Sequence, residues 1–347
     1  MDLESLGWDA AFAESFQPHE QAGLVPVRVI VEHRSEYVVY SPHGELRAEL
    51  SGRLRHDREH PAVGDWLAIA PTGESLAIIH AVLPRRTAFI RKTAFLETKP
   101  QVLAANVDVV FVVCGLDGDF SVRRIERYLT LGWESGAQPV VLLTKADLCA
   151  DVEARVWDVE AVAIGVPVHA VSALTGDGVE TVRSYVPGGR TAALLGSSGV
   201  GKSTLVNALV GEEMLATQTV READGRGRHT TSHRQLVLLP DGGLVLDTPG
   251  MRELQLWDAD SGLESAFQDL EALAAACRFT DCGHGREPEC AVRAALADGS
   301  LDVARFESWR KLQRELHHLA LKQDARLLSE ARKERRRFAR SQRKTVY

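Results

Sequence analysis

No run of eighteen apolar residues occurs in the 347-residue sequence, so nothing in it is suited to span a membrane as a helix. The opening stretch, MDLESLGWDAAFAESF, carries acidic residues and no early Lys or Arg, which is the wrong charge for a secretory signal. Cysteine is scarce and odd in number: five residues, three of them (Cys277, Cys282 and Cys290) within fourteen positions. Clustering of this kind without an export signal points to a metal and away from disulfides. Internal repeats and low-complexity segments are also missing. These absences predict a cytosolic protein.

What is present describes an ordinary globular chain, 45% hydrophobic and 26% charged, long enough for two or three domains. The net charge of −7 is unevenly spread: residues 310–347 hold 13 Lys and Arg against 4 acidic residues, leaving −16 on the rest. A basic tail on an acidic body suggests a polyanionic partner reached through the tail.

After an acidic leader (1–23), residues 24–85 read as five short strands, VPVRVIVE, EYVVYS, GELRAEL, DWLAIA and LAIIHAVL, broken by turn signals such as SPHG and PTGE. Five strands in so short a span suggest a small closed barrel of the OB type, placed at 24–88. From about residue 105 the pattern becomes buried strands (107–114, 139–144, 167–172, 191–195, 234–239 and 243–247) alternating with helical stretches, the pattern of an α/β domain with a mostly parallel sheet. That domain is placed at 100–257. Beyond Trp257 the chain turns helical and charged, giving a third unit at 258–347. Cys114, at the end of VDVVFVVC, reads as core filler.

The most informative stretch is LLGSSGVGKSTLVNAL, residues 194–209. Gly196, four residues, then Gly201, Lys202 and Ser203 is the spacing of a phosphate-binding loop between a strand and a helix. Backbone N–H groups of Gly196, Ser197, Ser198, Gly199, Val200, Gly201, Lys202 and the helix start at Ser203 and Thr204 can surround a polyphosphate. Lys202 is suited to the β- and γ-phosphates, and the Ser203 hydroxyl to Mg²⁺. TKAD (Thr144, Lys145, Ala146, Asp147) closes another strand and fits a guanine motif. The two Asp147 oxygens match the N1–H and N2–H₂ donors of guanine, a pattern adenine lacks. SAL, beginning at Ser172 and Ala173, is placed to meet guanine O6. In DTPG, Asp247 is expected to hold Mg²⁺ through a water and the Gly250 N–H to sense the γ-phosphate. GRGRHTTSHRQ between them reads as a nucleotide-responsive segment, with Thr231, or alternatively Thr230, as the second Mg²⁺ ligand. Met251 occupies the position at which many GTPases carry a water-orienting glutamine, which makes His229 the candidate for that role.

Conventional GTPases begin with the phosphate loop and end with the guanine motifs. Here the order is 144, 172, 196, 231, 247, so the last two elements stand first. Because each element ends a strand, cutting and rejoining the chain elsewhere preserves the site. At the C-terminal side, Cys277-x₄-Cys282-x-His284-x₅-Cys290 offers four ligands with no open position, the pattern of a structural Zn²⁺ site. Barrels of this type commonly bind RNA with a strand face and its loops, for which Arg28, Arg34, Arg47, Arg53, Arg55, Arg85 and Arg86 are the candidates, each otherwise a solvated surface arginine.

With these motifs assembled, residues 24–300 resemble the bacterial ribosome small subunit-dependent GTPase A family, through AANVDVVFVV, TKAD, GSSGVGKST, GRHTT, DTPG and CRFTDCGHGREPEC. The resemblance implies a circularly permuted P-loop GTPase domain with an N-terminal OB-fold barrel and a C-terminal helical zinc-binding domain. It also implies GTP hydrolysis to GDP late in maturation of the small ribosomal subunit and its 16S rRNA, stimulated by the subunit; a monomer with no membrane partner is expected. Thr144 stands where many relatives have Asn. The alternatives are a guanine-nucleotide switch with negligible turnover and an ATP-dependent kinase, the latter disfavoured by TKAD.

Overall fold

The computed structural model describes residues 2–33, 36–42, 44–57, 60–73, 75–92, 100–211, 235–247, 260–285 and 287–317. A 3₁₀ turn (Glu4–Leu6) and helix α1 (Ala10–Glu20) come first. Asp9 caps α1 by accepting from the Ala11 and Phe12 amides. The barrel strands follow: β1 (Val25–Glu32), β2 (Tyr37–Ser41), β3 (Gly44–Leu50), then helix α2 (Gly52–Asp57), β4 (Trp66–Pro71) and β5 (Leu76–Val82). Neighbours pair antiparallel except β3 with β5, and β1 meets β4 to close the circuit. This is the OB connectivity, and closure leaves no barrel edge unpaired. Val27, Val29, Val39, Leu67, Ile69 and Ile79 fill the interior.

A two-stranded ribbon, β6 (Ala88–Lys92) with β7 (Pro100–Ala105), leads into the second sheet. Its elements are β8 (Val109–Gly115), α3 (Val122–Glu134), β9 (Gln138–Thr144), α4 (Val152–Glu160), β10 (Val168–Val171), α5 (Val179–Ser184), β11 (Thr191–Leu195), α6 (Lys202–Val210), β12 (Gln235–Leu238) and β13 (Leu244–Asp247). The order is β10-β9-β8-β11-β13-β12, all parallel except β12. Strand β8 is buried along its whole length. Its Val110, Val112 and Cys114 enter the core on one face, and Val109, Phe111 and Val113 that on the other, as strand alternation requires of a sheet covered on both sides. β12 also pairs with β1 through Gln235 and Val31, so barrel and sheet are one continuous hydrogen-bonded surface. The C-terminal helices are α7 (Asp260–Ala266), α8 (Gln268–Ala275), α9 (Ala291–Asp298) and α10 (303–317).

The acidic leader is packed, not loose. Trp8, Phe12 and Phe16 cluster against Trp66, with Trp8 and Trp66 ring centres 4.7 Å apart. Beneath them lies Arg28, only 2% exposed. Its guanidinium donates to Leu6 O in the leader, to Gly64 O (3.2 Å) in the barrel, and to Asn106 O (3.1 Å) and Thr191 Oγ1 (2.8 Å) in the α/β domain. Burial lowers its pKa to about 10, with Asp108 and Asp65 opposing, so it stays charged at neutral pH.

Two of the arginines expected to face RNA, Arg28 and Arg85, are therefore corrected. Arg28 points out of the barrel, but the leader and the α/β domain cover that side. Arg85 forks onto Asp65, which is fully buried, at 2.8 and 2.7 Å. Arg86 holds the capping Asp9 and keeps its carboxyl below the usual carboxylate range. Arg47 and Arg55 stay exposed, paired with Glu36 and Glu49. Arg53 is a described residue, and Arg34 lies outside those described.

Arg28→Leu would take its donor from each of Leu6 O, Asn106 O and Thr191 Oγ1, while Gly64 O keeps the Asn106 amide at 3.1 Å, and each acceptor so stripped costs roughly 1–3 kcal/mol if it stays buried. A loss of at least about 3 kcal/mol is expected, read from the denaturant midpoint of the full chain.

Candidate functional site

Parallel strands release their chains at one edge, and the predicted nucleotide elements gather there. Strand β11 ends at Leu195 and delivers Gly196, Ser197, Ser198, Gly199, Val200 and Gly201 to the start of α6 at Lys202. Gly199, at φ 82°, is one of three positions here that require glycine. A Cβ on Gly196 would stand 2.4 Å from Val113 O, and Gly201 has φ +95°, which side chains avoid. Lys202 Nζ donates to Gly196 O (2.7 Å) and Ser197 O (2.5 Å), lying across the loop mouth. Ser203 and Thr204 occupy the first turn of α6, where unpaired N–H groups and the helix dipole favour an anion.

Strand β9 runs in register with β8 and β10, setting Thr144 beside Gly115 and Val171. The Thr144 hydroxyl donates to Val200 O at 2.5 Å, fastening the base motif to the phosphate loop. The Thr144 hydroxyl thus braces the loop at Val200. Lys145 takes the left-handed conformation (φ 59°) and reaches Asp117 Oδ2 at 2.5 Å. That contact holds the Asp117 carboxyl below the usual carboxylate range. Ala146 and Asp147 begin a 3₁₀ turn (Ala146–Leu148). Ser172 donates its hydroxyl to Asp147 Oδ1 (2.6 Å), while its own backbone is held by Asp177 and Gly176 and Ala173 follows it. The two segments expected to read guanine are joined by this hydrogen bond, and a carboxylate with one oxygen so engaged keeps acceptor capacity.

Asp247 is the last residue of β13, which runs parallel to β11, so its backbone lies next to the strand that feeds the phosphate loop. His229, Thr230, Thr231, Gly250, Met251 and the tail from residue 318 lie outside the described residues. Sequence reading missed Asp117 and Arg124. Both stand after β8, the strand between β9 and β11, so the segment they occupy necessarily separates the base motif from the phosphate loop.

The second candidate site is C-terminal. Ligand atoms of Cys277, Cys282, His284 and Cys290 all lie within 4.8 Å of one another. Cys277 and Cys290 Sγ are 3.8 Å apart and stand 3.6 and 3.5 Å from His284 Nδ1. Tetrahedral coordination at Zn–S distances of about 2.3 Å gives ligand separations near ~3.8 Å, so this set can hold a metal. Glu287 shapes the loop by accepting from the Gly283 and Gly285 amides (3.2 and 2.7 Å).

A phosphate loop that follows its guanine motifs in the chain, built on a parallel sheet beside an OB barrel, defines a circularly permuted GTPase. A family model described as RsgA GTPase matches residues 82–257. The protein of Opitutus terrae named small ribosomal subunit biogenesis GTPase RsgA is 50% identical over 338 residues, covering 93% of this chain and 92% of that one. Its namesake in Streptomyces avermitilis is 47% identical over 336 residues, covering 96% and 90%. The chain belongs to the RsgA GTPase family, and it is a GTP-hydrolysing enzyme. The crystal structure of YjeQ from Thermotoga maritima is 28% identical, with a TM-score of 0.65 over 84% of this chain and 98% of that one. YloQ, described as a circularly permuted GTPase, shares the fold at 23% identity and a TM-score of 0.62 over 85% and 96%. An ABC transporter model also matches, over residues 179–342, a span that holds the phosphate loop but neither guanine element.

Elemental analysis of the purified chain is expected to find one metal atom per molecule. Cys282→Ser should lose it while GTP affinity, measured by titration, is kept, because the cluster closes a separate segment.

Proposed function

We propose that this chain is an assembly factor that hydrolyses GTP during late maturation of the small ribosomal subunit, works in the cytoplasm, and is stimulated by the subunit it acts on. Family membership, and the name its relatives carry, support the biogenesis role. The observation that carries the nucleotide reading is the Thr144 to Val200 hydrogen bond, which makes the base reader and the phosphate loop a single unit.

In this reading, Asp147 accepts from guanine N1–H and N2–H₂, Lys145 lies along the base, and the Ser172–Ala173 backbone meets O6. Lys202 exchanges the loop carbonyls of Gly196 and Ser197 for the β- and γ-phosphates. Mg²⁺, bound with GTP, neutralises charge developing on the phosphates. Ser203 and Thr231, or Thr230, would hold it directly and Asp247 through a water. Gly250 senses the γ-phosphate, and His229 orients the attacking water in place of the glutamine that Met251 replaces. Zn²⁺ fits the Cys277, Cys282, His284 and Cys290 cluster as a structural ion, since three thiolates and an imidazole are its preferred donors.

With Arg28 and Arg85 committed internally, the rRNA face of the barrel rests on Arg34, Arg47, Arg53, Arg55 and Arg86. Exposed ion pairs such as Arg47 with Glu36 and Arg55 with Glu49 contribute at most about 1 kcal/mol, so exchanging them for phosphates costs little. The basic tail adds a salt-dependent, sequence-independent attraction.

Asp147→Asn is expected to weaken GTP by several kcal/mol, on the order of two charge-assisted hydrogen bonds, and to strengthen xanthosine triphosphate. Unchanged GTP binding by titration would remove the base assignment. GTP turnover should rise steeply when small subunits are added, and His229→Ala should keep GTP affinity and subunit binding but lose most of that rise. Turnover equally slow with and without subunits would leave a nucleotide-binding switch; full stimulation of the His229 variant would pass the role to another group.

A further inference from the structure

Ser197, the second residue of the phosphate loop, is gripped from two sides. Lys202 donates to its carbonyl at 2.5 Å, and Arg124 Nη1 donates to its hydroxyl at 2.9 Å. In the nucleotide reading proposed above, Lys202 turns to the phosphates and gives up its bond to the Ser197 carbonyl. Arg124 stays, because its guanidinium is paired with the Asp119 carboxylate and also reaches the Asp119 carbonyl at 3.4 Å.

The grip continues towards the base. The Asp119 amide donates to Asp117 Oδ1 (3.1 Å), and Asp117 Oδ2 accepts from Lys145 Nζ (2.5 Å). A chain of contacts thus runs Lys145, Asp117, Asp119, Arg124, Ser197, joining base motif to phosphate loop along the segment after β8. Its platform is firm. Two residues beyond Arg124 on α3, Glu126 is 2% exposed and accepts at 2.9 Å from Arg305, itself 5% exposed. Arg305 also forks onto Asp269 at 2.7 and 2.6 Å, and Arg127 forks onto Glu315 at 2.8 and 2.7 Å. Helix α3 is thereby pinned to the C-terminal helices α8 and α10.

We propose that Arg124 is a positioning residue for GTP binding, holding the phosphate loop through Ser197 in the shape that receives the β-phosphate. The inference rests on the nucleotide reading of residues 196–204. Its contact is to a loop side chain, whereas the backbone N–H groups of the loop serve the phosphates. GDP and GTP share the β-phosphate and should feel its loss alike.

The test is titration of the full chain with GDP and with a non-hydrolysable GTP analogue, beside steady-state turnover, for Arg124→Gln, Arg124→Lys, Ser197→Ala and the Arg124→Gln/Ser197→Ala pair. Losing one hydrogen bond from a charged donor should weaken both nucleotides roughly tenfold. KM should rise by more than kcat falls, Arg124→Lys should recover part of the loss, and the double variant should be little weaker than the worse single. Additive losses, or unchanged GDP affinity in Ser197→Ala, would overturn the proposal, and the second result decides even if Arg124→Gln fails to fold. A fall in kcat with GDP affinity intact would overturn it too, by assigning Arg124 to the transferring phosphoryl group. Wild-type protein that bound neither nucleotide would instead bring down the reading of the site itself.

Discussion

The parallel run β10-β9-β8-β11-β13 is the constraint on which everything else rests. Parallel strands end at the same edge, so the segments after Gly115, Thr144, Val171 and Leu195 are neighbours whatever their order in the chain. That is why permutation does no harm. Chain order can be rewritten at any surface connection while the strand order, and hence the site, is kept. The central strand must be apolar on both faces to hold this position, and β8 is.

Burial of arginine does the joining. Arg28 ties leader, barrel and α/β domain; Arg305 ties α3 to α8 and α10. A guanidinium presents five donors in a fixed fork, so each bond limits the position of its partner and a shifted domain leaves a donor or acceptor unpaired in low dielectric. Burial pushes the Glu126 carboxyl up, while Arg305 pulls it down; Asp269 is also opposed by burial, but its Arg305 contacts win and hold it low. Arg305, paired with both, stays protonated despite its own burial. Ties of this kind add modest net stability and much geometric definition.

A metal in the Cys/His cluster would perform a related service for short helices. Cys277 follows α8 and Cys290 is the N-cap residue of α9, so a metal held between them would fix helices too short to stand alone in water. His284 packs its ring 5.5 Å from that of Trp309 on α10, and Trp309 donates to Glu271 on α8 at 2.8 Å. The cluster, α8 and α10 are thus one packed unit, and the same α10 carries Arg305 and Glu315 to α3.

The sequence by itself determined the GTPase class and most of the fold. Glycine spacing at 196–201, TKAD, and the Cys/His interval are local patterns whose meaning follows from backbone freedom and donor type, and five short strands between turn signals already imply a barrel. Alternation in β1 marks Arg28 as outward, and outward reads as solvent, because a strand pattern records which side a residue faces and nothing of what covers that side. Only the tertiary structure, by laying the leader and Thr191 against β1, turned that arginine from a candidate for RNA into an internal tie. For the same reason Asp117 and Arg124 carry no motif. Their place beside the phosphate loop comes from β8 lying between β9 and β11, and strand order in a parallel sheet is decided by packing of helices on both faces, not by any interval along the chain.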